Sequence, residues 1–192
     1  MVSALRGCQA LPLPRASGNL RRMPLPNVFL GLGSNLGDRE ANLVGAEREL
    51  ERRGFRVEAR SSTYLTEPKD APPQGWFLNA VLGGTTALSP EELMVACLEA
   101  ERELGRVRGP QPKAPRTADV DLLLYGQEVR AQPSLVLPHP RLHERLFVLV
   151  PLAEVAPDAF HPGLRVTVLE LLRRCRDDSK VVLFRPRETG TA

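Results

Sequence analysis

Twice along this chain a strand-like segment, an amphipathic helical segment and a second strand-like segment follow one another, and that order restricts the fold more than any other feature. The first unit opens at Val28-Phe-Leu-Gly-Leu-Gly33, a short apolar run that reads as a buried strand. Gly33-Ser-Asn-Leu-Gly-Asp38 turns the chain, and Asp38 can cap a helix whose apolar positions Leu43, Ala46 and Leu50 share one face. Gly54 ends that helix, and Phe55-Arg-Val-Glu-Ala59 alternates as a half-buried strand should. The second unit starts with the strand Phe77-Leu-Asn-Ala-Val-Leu82. Ser89-Pro-Glu-Glu92 then supplies a capping box with proline at the first helical position. The helix it starts buries Leu93, Ala96, Cys97, Ala100 and Leu104, and the strand Ala118-Asp-Val-Asp-Leu-Leu-Leu-Tyr125 closes the unit. The pattern predicts an α/β (α+β) fold, a ferredoxin-like βαββαβ sandwich with helices packed on an antiparallel sheet. Phe147-Val-Leu-Val-Pro-Leu-Ala-Glu154 and Val168-Leu-Glu-Leu-Leu172 read as short C-terminal helices.

Two segments refuse regular structure. Glu67-Pro-Lys-Asp-Ala-Pro-Pro-Gln-Gly75 is rich in breakers, and Gly105-Arg-Val-Arg-Gly-Pro-Gln-Pro-Lys-Ala-Pro115 is both breaker-rich and basic. The expected organisation is a disordered extension over 1–26, one domain over 27–185 and a flexible tail over 186–192. The extension carries no acidic residue and has arginines at 6, 15, 21 and 22. It reads as an upstream segment before a start at Met23, with an organellar transit peptide as the alternative.

Composition narrows the function classes. A hydrophobic fraction of 42% builds a core without disulfide help. The three cysteines Cys8, Cys97 and Cys175 include no close pair, which excludes a disulfide framework or zinc knuckle and suits a cytoplasmic location. The formal charge of +3 comes from scattered arginines interleaved with acids, not from one basic block, so nucleic acid is not an expected partner. No apolar run is long enough to span a membrane. A monomer acting on small phosphorylated ligands is the expectation.

The sharpest local signal is Asp119-Val-Asp121. Residues two apart on a strand face the same way, so both carboxylates project together, ~7 Å apart. The alternate residues Ala118, Val120, Leu122 and Leu124 are apolar and face a core. Two like charges this close raise each other's pKa, and a cation relieves the repulsion. A few carboxylate oxygens plus phosphates and water are how magnesium is usually held. Arg106, Arg108 and Arg116 lie just upstream, and arginine is the preferred bidentate partner of phosphate. Pro138-His139-Pro140-Arg141 adds a histidine with little backbone freedom that can donate to a phosphate oxygen. By residue type alone, Phe77 and Phe147 read as core and Asn79 as a structural amide. No P-loop, kinase loop or nucleophile elbow is present.

Taken in order, Gly33-Ser-Asn-Leu36, Phe77-Leu-Asn79, Gly105-Arg-Val-Arg108, Pro115-Arg-Thr-Ala-Asp-Val-Asp-Leu-Leu123 and Leu137-Pro-His-Pro-Arg-Leu142 resemble the 6-hydroxymethyl-7,8-dihydropterin pyrophosphokinase family of folate synthesis. The resemblance runs from about 28 to about 162. It implies transfer of pyrophosphate from ATP to the pterin hydroxymethyl group, with AMP as by-product and two Mg2+ ions held by Asp119 and Asp121. It further implies that Arg106 and Arg116 clamp phosphates, and that Glu101, Leu122, His139 and Arg145 contact ATP. Phe77 and Phe147 would sandwich the pterin, Asn79 would read its edge, and the segment at Thr66 would give main-chain contacts to the same ring. The family often carries a basic residue and then a tryptophan where this chain has Pro112 and Lys113, so the closing of that loop is expected to differ here. Two other readings fit parts of the sequence. A nucleotidyl transferase would use the aspartates without the pterin half, and a regulatory module would bind ATP without turnover.

Overall fold

The computed structural model describes residues 27–69, 73–107 and 114–185. The expected N-terminal extension and tail, and Arg108, Pro112 and Lys113, lie outside the described residues.

Strand β1 (Asn27–Ser34) runs through the middle of a six-stranded sheet, with β4 (Phe77–Thr86) on one side and β5 (Asp119–Tyr125) on the other, both antiparallel to it. The far edge of β4 takes two short strands in succession, β2 (Phe55–Arg60) along Leu82–Thr86 and β3 (Thr63–Thr66) along Phe77–Asn79. These pairings give the antiparallel order expected of a ferredoxin-like sandwich. The break between β2 and β3 falls at Ser61-Ser62. There Glu154 from a distant helix accepts from the Ser62 amide (2.9 Å), the Ser62 hydroxyl (2.8 Å) and the Tyr64 hydroxyl (2.9 Å).

Helices cover both faces. On one face lie α1 (Arg39–Arg52), capped by Asp38 accepting from the Ala41 amide at 3.0 Å, and α2 (Pro90–Glu103), whose capping box at Ser89 and Glu92 forms as the sequence predicts. Leu43, Ala46, Leu50, Leu93, Ala96, Cys97 and Ala100 from these helices close over Val28, Leu30 and Leu32 of β1. On the opposite face lie α3 (Leu146–Val155) and α4 (Val168–Arg174), packed on Phe29, Val81, Leu123 and Leu124. Neither these nor any other described helix is long and apolar enough to cross a membrane.

One expectation needs correcting. Strict alternation places Leu122 and Leu124 on one face, but the register between β1 and β5 shifts between Phe29 and Leu30. The irregularity turns the strand, so Leu122 enters the α1/α2 core while both Leu123 and Leu124 enter the α3/α4 core. The two aspartates lie before the shift and keep their common face.

Three small pairings are additions to the expected pattern. A hairpin of β6 (Arg130–Gln132) and β7 (Leu135–Leu137) follows β5, and β8 (Phe160–His161) pairs with β9 (Val166–Thr167). After α4 the chain returns as β10 (Val181–Arg185), which adds to the free side of β3.

Candidate active site

The face of the sheet that carries α3 and α4 is only partly covered, and the uncovered part is a floor of unusual composition. Register places Tyr64, Asn79, Gly33 and Asp119 side by side on four neighbouring strands, and Val81, Gly31 and Asp121 in the next such row. Asn79 and Asp119 thus face the same way about 10 Å apart, twice the strand spacing, with only glycine between them. A side chain at 33 would fill that gap, since a Cβ there would lie 2.8 Å from the Asn79 Oδ1. The glycines of the first strand motif therefore leave the sheet surface bare between an amide and a pair of carboxylates.

Around this floor the fold builds a cleft of about 580 Å3, and the twelve residues to which the resemblance gives a role all line it. Thr66, Phe77 and Asn79 come from β3 and β4, Asp119, Asp121 and Leu122 from β5, and Glu101 from α2. Arg106 and Arg116 come from either side of the basic loop, His139 and Arg145 from the segment between β7 and α3, and Phe147 from the first turn of α3.

The polar contacts divide the cleft into two ends. At one end the buried Asn79 amide donates to the Thr66 hydroxyl at 2.7 Å, beside Phe77. At the other end Arg106 donates to both Glu101 and Asp119, and Arg116 donates to the second Asp119 oxygen at 3.0 Å. Glu101 is buried and also accepts from the Val120 amide at 2.9 Å, so its carboxylate holds Arg106 against β5. The Arg116 guanidinium lies 5.5 Å over the Phe77 ring and the Arg145 guanidinium 5.4 Å over the Phe147 ring, cation–π contacts that fix both cations at the cleft wall. The buried Arg116 Nε has no acceptor among the described residues, a donor that an anion entering the cleft would satisfy.

Two titrating groups are displaced in opposite directions. Burial, and then the neighbouring Asp119 charge, push the Asp121 carboxyl up to about 7, against the lowering effect of Arg145. A divalent cation on the pair would remove that penalty. Two carboxylates are too few for an all-protein metal cage, but they match magnesium, which keeps waters and takes substrate phosphates as its other ligands. Burial, helped by Arg145, pulls His139 down to about 4, so its ring is neutral at pH 7. The His139 Nδ1 accepts from the Arg141 amide at 3.2 Å, which leaves the proton on Nε2 as a donor.

A residue to which the sequence reading gave no role ties the two breaker-rich loops together. Asn35, in the turn after β1, accepts from the Arg116 amide at 2.8 Å and donates its own amide to the Arg116 carbonyl at 3.1 Å. Its side-chain nitrogen donates to Gln74 Oε1 (2.9 Å) and to the Gly75 carbonyl (3.2 Å). The Gly-Ser-Asn-Leu motif flagged the position, but partners 39 to 81 residues away are not visible in a local pattern. Lys69 and the Pro133-Ser134 turn of the β6–β7 hairpin also line the cleft without having been singled out.

The segment that builds this cleft also resembles known proteins. The family model described as 7,8-dihydro-6-hydroxymethylpterin-pyrophosphokinase (HPPK) matches residues 29–157. The 2-amino-4-hydroxy-6-hydroxymethyldihydropteridine pyrophosphokinase of Methylorubrum extorquens is 47% identical over 151 residues, covering 78% of this chain and 94% of the relative. The protein of the same name from Bacillus subtilis is 44% identical over 129 residues, covering 67% and 77%. Among solved structures, Plasmodium falciparum HPPK-DHPS with pteroate superposes with a TM-score of 0.63 at 12% identity, over 79% of this chain and 44% of that one. At that identity the likeness is one of fold, and the chain spans less than half of that structure.

Proposed function

Because the chain belongs to the 7,8-dihydro-6-hydroxymethylpterin-pyrophosphokinase family, it is a pyrophosphokinase of folate biosynthesis acting on a hydroxymethyldihydropterin, and we propose that it draws the pyrophosphate from ATP in the cleft described above. The observation that carries this reading is the row across β4, β1 and β5. An amide suited to a heterocycle edge and a carboxylate suited to a metal–phosphate complex share one face, separated by a single glycine.

The transfer forms a bond from the hydroxymethyl oxygen to the β-phosphorus and breaks the bond from that phosphorus to the oxygen leaving with AMP, while the hydroxyl proton departs. Such chemistry needs charge neutralisation and alignment rather than a covalent nucleophile. Two Mg2+ ions held by Asp119 and Asp121 would supply charge neutralisation on the triphosphate. Arg116 and Arg106 bind the phosphates, and the orphaned Arg116 Nε is the donor best placed to gain an acceptor. Glu101 acts by holding Arg106, and the His139 Nε2–H and Arg145 give further donors to the nucleotide, whose base end lies along Leu122. Phe77 and Phe147 offer flat apolar faces to the pterin, and Asn79, oriented by Thr66, reads its edge. We place the reaction in the cytoplasm, carried out by a monomer that needs neither nucleic acid nor a membrane.

The test is nucleotide analysis after incubation with ATP, Mg2+ and 6-hydroxymethyl-7,8-dihydropterin. AMP and a diphosphorylated pterin in equal amounts are expected. ADP would replace the reading with an ordinary kinase, and bound ATP without turnover would replace it with a regulatory module. A second expectation concerns the bare floor. Gly33→Ala drives a methyl against the Asn79 amide and disturbs its bond to Thr66, so the pterin KM should rise about tenfold with the ATP KM nearly unchanged. Equal KM values in wild type and variant would show that Asn79 does not touch the ring.

A further inference from the structure

Beyond the family's motifs, the segment after α4 carries one carboxylate that is buried and yet surrounded by donors. The Asp177 side chain is 0% exposed, 31 residues beyond the start of α3. Its Oδ2 accepts the Leu146 amide at 2.9 Å, and its Oδ1 accepts from Lys69 and from the Ser179 amide at 3.0 Å. Burial alone would raise this carboxyl, but the bonds from Lys69, Ser179 and the two amides outweigh it and hold it at about 2. The group is therefore charged at any pH at which the enzyme works.

Two of these partners have a consequence for the cleft. Leu146 opens α3, and the residue before it, Arg145, gives that helix no side-chain cap. Asp177 supplies the missing acceptor from a distance, and a negative charge at a helix N-terminus is stabilised by the exposed amides there. The next residue is Phe147, and Arg145 lies over its ring. Lys69 lines the cleft three residues after Thr66, the partner of Asn79. The same stretch of chain is secured again where the Glu67 amide donates to the Lys180 carbonyl at 3.2 Å and Val181 of β10 pairs with Thr66.

We infer that Asp177 is a positioning residue for the pterin end of the cleft, fixing the helix that presents Phe147 and the loop that follows Thr66 to one another through a single carboxylate. This inference rests on the pyrophosphokinase reading. It differs from a mere anchor for the C-terminal segment because both walls it joins face the pterin end.

The experiment compares Asp177→Asn, Asp177→Ala and Lys69→Met by steady-state kinetics in both substrates and by thermal melting. Asparagine can still accept from the Leu146 amide but loses the charge that holds Lys69, whereas alanine loses both. The pterin KM is expected to rise about tenfold in Asp177→Ala and about threefold in Asp177→Asn and Lys69→Met, with kcat and the ATP KM within about twofold of wild type. The double variant Asp177→Asn, Lys69→Met should be no worse than either single one, because both break the same link. A lowered melting temperature with an unchanged pterin KM would overturn the inference, as would KM values rising equally for both substrates. Should Asp177→Ala fail to fold, the two milder variants decide the matter. A wild-type protein that forms no AMP would instead remove the pyrophosphokinase reading itself.

Discussion

Asp121→Ala is expected to lower the rate of AMP formation by about a thousandfold or more, roughly 4 kcal/mol of transition-state stabilisation, while leaving the fold intact. The carboxylate sits in the row beside Gly31 and shares its face with Asp119, so losing it leaves one carboxylate where the proposed site has two. The same position makes a second, opposite expectation about stability. The folded-state pKa of about 7 lies above the ordinary aspartate value of 3.8, so the metal-free folded protein binds more protons than the unfolded chain between about pH 4 and pH 7. Its stability therefore falls as pH rises through that window, and the penalty is complete above it. Asp121→Asn removes the titrating group, so the metal-free variant should melt roughly 5 °C higher than wild type at pH 8 and at nearly the same temperature at pH 4. A variant that is inactive yet more stable would mark Asp121 as a residue kept for function. Activity within tenfold of wild type would take Asp121 out of the proposed metal site.

Arg116→Ala is the second large effect expected, a fall in kcat of about a hundredfold, near 3 kcal/mol. The Arg116 backbone is held on both sides by Asn35, so truncating the side chain removes the guanidinium without releasing the strand entry. Arg116→Lys should recover little, because a lysine cannot reproduce the planar fork or lie over the Phe77 ring in the same way. Rapid-quench measurement of a single turnover separates the chemical step from product release. An unchanged single-turnover rate in Arg116→Ala would assign the residue to binding alone.

The parts of this molecule that could be read from sequence are those whose physical cause is local. Helices α1 and α2 declared themselves by period and caps, since Asp38, Ser89 and Glu92 bond within three residues of themselves. The site residues converge on one cleft because most of their motifs lie at strand ends and loop mouths beside the bare floor, while Leu122 and Glu101 reach it from the α1/α2 side. What stayed hidden depends on partners far along the chain or on weak patterns. The break at Ser61-Ser62 is fixed by Glu154, some ninety residues away, and the shift at Phe29/Leu30 exists only in the pairing of two strands. Strand β6 is short and mostly exposed, so it carries no alternation to detect. Asp177 is one acid in a charged C-terminal run, and only its three-way contact separates it from its neighbour Asp178.

The double grip of Asn35 also makes the protein its own instrument. Trp76 is the chain's single tryptophan, and its carbonyl accepts from Arg39 at 2.8 Å, next to the Gly75 carbonyl held by Asn35. Through Gly75 and Asn35 the backbone beside this residue is tied to the Arg116 backbone on the opposite loop. Intrinsic emission is therefore expected to change when ATP and Mg2+ are added, and unchanged emission would show that this backbone link does not carry movement of the arginine loop to the indole.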